Sequence, residues 1–164
     1  MTAADALARH PAVDGGRMAA MGGSFGGYMS NWIGVSTERF RCLVTHASIY
    51  AMSPFSGTTD HPAWWYQMMG VSPYEDAAAH ERWSPHGGVS RWKTPTLVLH
   101  GERDYRVPIS EALMLFEALQ HHRIPSELVV FPDEGHWIAK PRNAVAWYGA
   151  VMDFLGRHLA PVAP

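Results

Sequence analysis

Met18-Ala19-Ala20-Met21-Gly22-Gly23-Ser24-Phe25-Gly26-Gly27-Tyr28-Met29-Ser30-Asn31-Trp32 decides how the rest of this chain is read. The short apolar run from Met18 to Met21 leads directly into a glycine-flanked serine. Tyr28 to Val35 follows, with apolar residues at 28, 29, 32, 33 and 35, the spacing of a buried helix. Strand, sharp bend and helix are the local expectation. G-x-S-x-G at such a bend is the pattern of a nucleophile elbow, which holds a serine oxygen exposed on a strained turn near a helix N-terminus. Glycines at 22 and 26 let the turn form and let the helix approach the strand closely.

Working outward, Cys42 to Thr45, Thr96 to Leu99 and Leu128 to Phe131 are short apolar runs without polar alternation, as expected of parallel strands covered on both faces. Pro108 opens a segment with apolar residues at 109, 112, 113, 116 and 119, one face of a helix, which Ile124-Pro125 ends. After Pro141, positions 148, 151, 152, 155 and 159 trace a further helical stripe, with Asn143 as its expected N-cap. Ala3 to Ala8 is helical in tendency and is broken by Asp14-Gly15-Gly16. Alternating strands and helices imply an α/β fold of right-handed βαβ units, a mostly parallel sheet with helices on both faces in three layers. Residues 48–93 differ, being rich in Pro, Gly and aromatics, including Trp64-Trp65-Tyr66, Trp83 and Trp92. They are too long for a plain loop and are expected to form short helices that cap the sheet and shape a pocket, one of them Tyr74 to Arg82.

The 164 residues are read as a single domain, 1–164, large enough to bury roughly 70% of its unfolded surface. Hydrophobic residues make up 47% and charged ones 17%, and no apolar run approaches the ~20 residues of a spanning helix, which sets aside disorder and membrane insertion. Net charge is -2, so there is no basic footprint for nucleic acid or an anionic membrane. The N-terminal Met1-Thr2-Ala3-Ala4-Asp5 lacks the basic and apolar regions of a signal peptide, and the expected compartment is the cytoplasm. Cys42, the single cysteine, forbids an intrachain disulfide and is expected to be inert core. Among the histidines, His10, His61, His80 and His158 read as surface residues, while His46 and His100 end apolar strands. Their spacing suggests no metal site.

Two further residues join Ser24. Asp104 follows the strand Thr96 to Leu99 in the loop His100-Gly101-Glu102-Arg103-Asp104-Tyr105-Arg106-Val107-Pro108. His136 follows the next strand in Phe131-Pro132-Asp133-Glu134-Gly135-His136-Trp137. Both fall at the carboxyl edge of a parallel sheet, where ligands and catalytic groups gather. The chain order Ser24, Asp104, His136 is that of α/β-hydrolases. In that arrangement His136 takes the serine proton as general base, while Asp104 fixes the imidazole tautomer and stabilises the imidazolium.

The strings Gly-Gly-Ser-Phe-Gly-Gly-Tyr-Met-Ser-Asn-Trp (22–32), His-Gly-Glu-Arg-Asp-Tyr-Arg-Val-Pro (100–108) and Glu-Gly-His-Trp (134–137) resemble the prolyl oligopeptidase family of serine peptidases, most of all its acylaminoacyl peptidase and dipeptidyl aminopeptidase members. The resemblance implies Ser24 as nucleophile, Asp104 as orienting acid, His136 as base and no cofactor. It makes Arg106 the arginine that binds a carbonyl oxygen on the acyl side of the scissile bond, a salt bridge with Asp104 or Glu102 being the structural alternative. Trp64 or Trp65 falls where the family places an aromatic wall, or else is a core aromatic of the capping segment, and Tyr28 is a further substrate-binding candidate. Short or N-blocked peptides are the implied substrates, with small esters as fallback.

What the chain resembles is the C-terminal half of the family's hydrolase domain. In this fold one oxyanion donor is the backbone N–H after the nucleophile, here Phe25, and a second comes from a loop upstream. His86-Gly87-Gly88 resembles an oxyanion motif in letters but lies on the wrong side of the elbow and reads as a turn. Without upstream strands, Met18 to Met21 is expected to be an unpaired apolar edge, inviting homodimerisation or association with a chain carrying the missing half. A serine hydrolase and a catalytically impaired truncated module that associates with a partner are the two readings that follow.

Overall fold

The computed structural model describes residues 2–161. In chain order the elements are α1 (Thr2–Ala8), β1 (Ala19–Gly23), α2 (Phe25–Ser36), β2 (Cys42–His46), α3 (Met52–Thr58), α4 (Pro62–Met69), α5 (Ala77–Glu81), a 3-10 helix (Pro85–Arg91), β3 (Thr96–Gly101), α6 (Ser110–His121), β4 (Ser126–Phe131) and α7 (Pro141–Leu159). The four strands form one sheet in the order β1-β2-β3-β4, parallel throughout, with Gly23 opposite His46, Val44 opposite Leu97 and Leu99 opposite Val129. Chain order and spatial order coincide, so each crossover spans one strand spacing and β1 stands at an edge.

The uninterrupted apolar strands are explained by layers on both sides. Leu43 and Val98 face one way, into a core with Val35 of α2, Trp92, and Ala112, Leu115 and Leu119 of α6. Cys42, Val44, Leu97 and Leu99 face the other way, against Val151 and Phe154 of α7. Side chains alternate across a strand, and here both faces are apolar because both are covered. Trp92, fully buried, sets the separation between α2 and the 3-10 helix. A Cβ on Gly34 would come within 2.3 Å of its indole ring, so the helix approaches only because position 34 has no side chain. The indole N–H donates to Thr94 O and Thr96 Oγ1, both at 3.0 Å, so this buried polar group is satisfied.

Several local expectations are corrected. The elbow strand runs past Met21 to Gly23, because parallel pairing with β2 continues to His46. The capping segment forms α3 and α4 beside a shorter α5, since Asp76 accepts the Ala79 N–H and starts that helix only at Ala77. His86-Gly87-Gly88 lies within a 3-10 helix rather than a simple turn. Lys140, not Asn143, is the N-cap of α7, and Pro141 takes its first position, where a missing N–H costs nothing. The inward stripe of α7 is centred on Trp147, Val151 and Phe154, whereas Tyr148 and Met152 are exposed. His80 is wholly buried, with Nε2 2.9 Å from Val71 O and Nδ1 3.2 Å from Ser56 Oγ, because α5 packs against α3. Cys42 is buried, and burial pushes its thiol up to about 11. Among the described residues, no helix is long and apolar enough to cross a membrane.

Candidate active site

The turn between β1 and α2 carries the first group. A Cβ on Gly22 would come within 2.3 Å of the Gly26 carbonyl, so strand and helix cross here at backbone contact. Ser24, squeezed between them, has φ 57° and ψ -121°, a conformation sparsely populated by residues other than glycine. Its N–H donates to His46 O at 2.9 Å and its carbonyl accepts the Tyr28 N–H at 3.0 Å, which pins the turn from both sides. Phe25 occupies the first position of α2, where a backbone N–H has no intrahelical acceptor.

Asp104 sits in the loop after β3 and is 2% exposed. Its Oδ1 accepts the N–H groups of Arg106 and Val107, each at 2.9 Å, while Oδ2 lies 2.8 Å from His136 Nδ1. The loop backbone thus fixes the carboxylate, and the carboxylate fixes the imidazole with its proton on Nδ1. His136 Nε2 is then an acceptor, 2.9 Å from Ser24 Oγ, whose hydroxyl donates to it. Residues 112 positions apart in the chain meet within hydrogen-bond distance, since β1, β3 and β4 release their loops at the same edge of the sheet.

The sequence did not single out the groups that hold this arrangement. Glu134, buried two residues before His136, accepts the backbone N–H groups of Ala139 and Lys140 and the side chain of Asn143 at 2.8 to 3.2 Å. Burial alone would raise its pKa, but these donors hold it below the usual value, so the ionised carboxylate ties the His136 loop to the start of α7. His100, fully buried, donates from Nε2 to Val107 O at 2.7 Å; burial, working against that bond, lowers its pKa. Asp60 pairs with Arg106, Nε to Oδ1 at 2.6 Å, and its N–H donates to Tyr105 O. The only sequence signal for these is that each lies within a few residues of a motif or at an element end.

Ser24, Phe25, Trp64, Trp65, Arg106 and His136 line one open cavity of about 570 Å³. Arg106 pairs with neither Asp104 nor Glu102; among the described residues its guanidinium meets only Asp60, so its terminal nitrogens have no protein acceptor. Trp64 is half exposed, whereas Trp65 is buried with an edge on Phe55. Tyr28 is not in this cavity. Its hydroxyl donates to Trp83 O at 2.7 Å, and it lines an adjoining apolar cavity of about 500 Å³ with Met52, Met69 and Trp83. Phe25, Trp65 and Met68 border both spaces. A serine hydrogen-bonded to an imidazole, itself oriented by a buried carboxylate, is arranged for nucleophilic acyl transfer. Among the described residues, no group of three His, Cys, Asp or Glu side chains could hold a metal ion.

A sequence profile described as the prolyl oligopeptidase family matches residues 1–161. A protein of Porphyromonas endodontalis named dipeptidyl-peptidase 5 is 37% identical over 164 residues, which covers 97% of this chain and 24% of that protein. Among solved structures, the acylaminoacyl peptidase of Pyrococcus horikoshii superposes with a TM-score of 0.89 at 23% identity, covering 97% of this chain and 27% of its own, a likeness of fold. A puromycin-hydrolysing peptidase of Mycobacterium tuberculosis gives a TM-score of 0.88 at 28% identity, covering 96% of this chain and 24% of its own. The chain spans about a quarter of the length of these relatives. Matched over nearly all its residues and built on the same parallel sheet, it belongs to the prolyl oligopeptidase family, whose members are serine peptidases of the α/β-hydrolase class.

Proposed function

We propose that this chain carries out acyl transfer on short or N-blocked peptides and small esters, with Ser24, His136 and Asp104 as its catalytic triad. The continuous hydrogen-bonded path from Asp104 through His136 to Ser24 carries the reading. Ser24 Oγ attacks the substrate carbonyl carbon as its proton passes to His136 Nε2. The oxyanion accepts the Phe25 N–H, and the scissile bond breaks as His136 returns the proton to the leaving group. Water, deprotonated by the same imidazole, then releases the acyl group. Arg106 binds an acyl-side carbonyl oxygen through the nitrogens that Asp60 leaves free. Trp64 and Trp65 form a wall beside it, and the apolar cavity beyond Phe25 and Trp65 favours substrates with a large apolar side chain next to the scissile carbonyl.

The second oxyanion donor belongs, in this proposal, to a further polypeptide segment that docks along β1. Among the described residues that edge pairs with no further strand, Met21 is 51% exposed, and Trp137 and Tyr148 border an apolar groove beside it. An open strand edge next to apolar surface favours pairing with another segment, and the matched dipeptidyl-peptidase 5 is about four times as long as this chain. Losing one oxyanion donor costs about 10² to 10³ in turnover. Activated esters are therefore the expected substrates of the chain alone.

The test is a fluorophosphonate probe with the adduct located by mass spectrometry, run beside Ser24→Ala and His136→Ala. An adduct on Ser24 that both substitutions abolish supports the proposal; a folded protein without an adduct favours the impaired, associating module. Sedimentation decides the partner. Monodisperse monomer counts against a second copy of the chain on β1, and a dimer counts for it.

A further inference from the structure

We infer that His46 is a positioning residue that couples the nucleophile turn to the base loop through two hydrogen bonds, one from its backbone and one from its ring. The inference rests on the acyl-transfer reading above and assigns a role that the triad does not include. His46 is the last residue of β2 and is 6% exposed. Its carbonyl accepts the Ser24 N–H at 2.9 Å. Its Nε2 lies 3.3 Å from the carbonyl oxygen of His136, and its Nδ1 lies 3.4 Å from Trp147 Nε1.

The indole N–H can only donate, so His46 Nδ1 is the acceptor in that pair. The ring proton therefore resides on Nε2, where it donates to the His136 carbonyl. Trp147, on α7, thus selects the tautomer that holds the base loop, and its ring stands edge-on to the His46 imidazole at 5.9 Å. Burial drives the His46 pKa down to about 4, so the ring stays neutral, with one donor and one acceptor, around pH 7. The next residue, Ala47, has φ 46° and donates its N–H to Leu99 O at 3.0 Å. This turn fixes the end of β2 to β3, so His46 is held from behind while it holds Ser24 and His136 in front. A histidine present only for packing would not need both ring nitrogens and its carbonyl aimed at partners in the Ser24 turn, the His136 loop and α7.

The test compares the wild-type chain with His46→Phe, which keeps a ring but removes the donor, and His46→Gln, whose amide N–H can replace it. Two quantities are read: the rate of fluorophosphonate labelling at Ser24, and the far-downfield proton resonance of the His136 Nδ1–H bonded to Asp104. Small displacements of a catalytic group cost up to about 10²-fold. His46→Phe is expected to label 10- to 100-fold more slowly on that scale and to shift or broaden the resonance, with an unchanged far-ultraviolet spectrum. His46→Gln is expected to recover most of the rate. Wild-type rate and resonance in His46→Phe overturn the inference, as does a Gln variant no better than Phe. Should His46→Phe fail to fold, Trp147→Phe frees the tautomer while keeping an aromatic ring, and an unmoved resonance there is equally fatal. An unlabelled wild type refutes the acyl-transfer reading, whereas the resonance still decides whether His46 positions His136.

Discussion

Glu111→Gln isolates the electrostatic cost of one buried carboxyl beneath the connection from β2 to α3. Glu111, in the first turn of α6, is fully buried, and its Oε2 accepts the N–H groups of Tyr50 and Ala51, both at 2.8 Å, where the chain leaves β2 for α3. Oε1 has no partner. Burial raises the pKa from the usual 4.5 to about 7, overriding the downward pull of the Ala51 and Tyr50 N–H groups. The unfolded chain therefore releases this proton near pH 4.5 and the folded chain near pH 7. The group's contribution to stability is complete below the unfolded value and is lost as pH rises through the folded one. The whole loss is about 3 kcal/mol, of which about 2 kcal/mol falls between pH 5 and pH 8.

Glutamine keeps an oxygen for the two N–H groups and does not titrate. Relative to wild type, the variant should therefore gain about 2 kcal/mol of stability between pH 5 and pH 8. With a urea m-value of about 2 kcal/mol/M, the gap between the two unfolding midpoints should widen by about 1 M. His46 acts with the opposite sign. Burial lowers its pKa from 6.5 to about 4, so it adds stability as pH rises through that window, equally in both proteins. A midpoint gap that is the same at pH 5 and pH 8 would refute the reasoning, because it would mean that ionising Glu111 costs nothing in the folded chain.

Two other outcomes follow from the site and the core. Arg106→Met should raise KM for an acyl-peptide or ester about tenfold, a loss of roughly 1.4 kcal/mol, while kcat stays within a few-fold, since in the proposed reaction the guanidinium binds substrate rather than the reacting atoms; a kcat loss with unchanged KM would contradict that role. Cys42, buried with its thiol pushed up to about 11, should be silent to a thiol reagent at pH 8 and react only as the protein unfolds; rapid labelling of the folded chain would show that the β2 layer opens.

Much of this molecule was legible one segment at a time. Gly22 announced a close strand–helix crossing because only a residue without a side chain permits backbone contact, and a Cβ there would collide with Gly26; Gly26 itself, expected to serve the same purpose, faces open space, and it is Gly27 whose Cβ would run into Ser48 and the His46 carbonyl. Unalternated apolar runs announced strands covered on both faces, and the two apolar clusters on either side of β2 and β3 have that form. The misreadings occurred where local preference met a tertiary competitor. Asn143, a good cap by type, turns back to Asp133 and Glu134 because those carboxylates are within reach once β4 and α7 dock. His80 reads as a surface residue in its polar neighbourhood, yet α5 is too short to stand alone and buries it against Ser56.

The sequence by itself determined the fold class, the elbow and the order of Ser24, Asp104 and His136, because each is read from short stretches whose own residues are neighbours in the chain. Only the tertiary structure decided which acid Arg106 meets, which cavity Tyr28 lines, that His46 meets the carbonyl of His136, and that Glu134 meets the start of α7. Those are contacts between residues 5 to 101 positions apart, such as Ala139 with Glu134 and Trp147 with His46. No periodicity encodes a hydrogen bond whose two partners are brought together by the packing of a sheet and its helices.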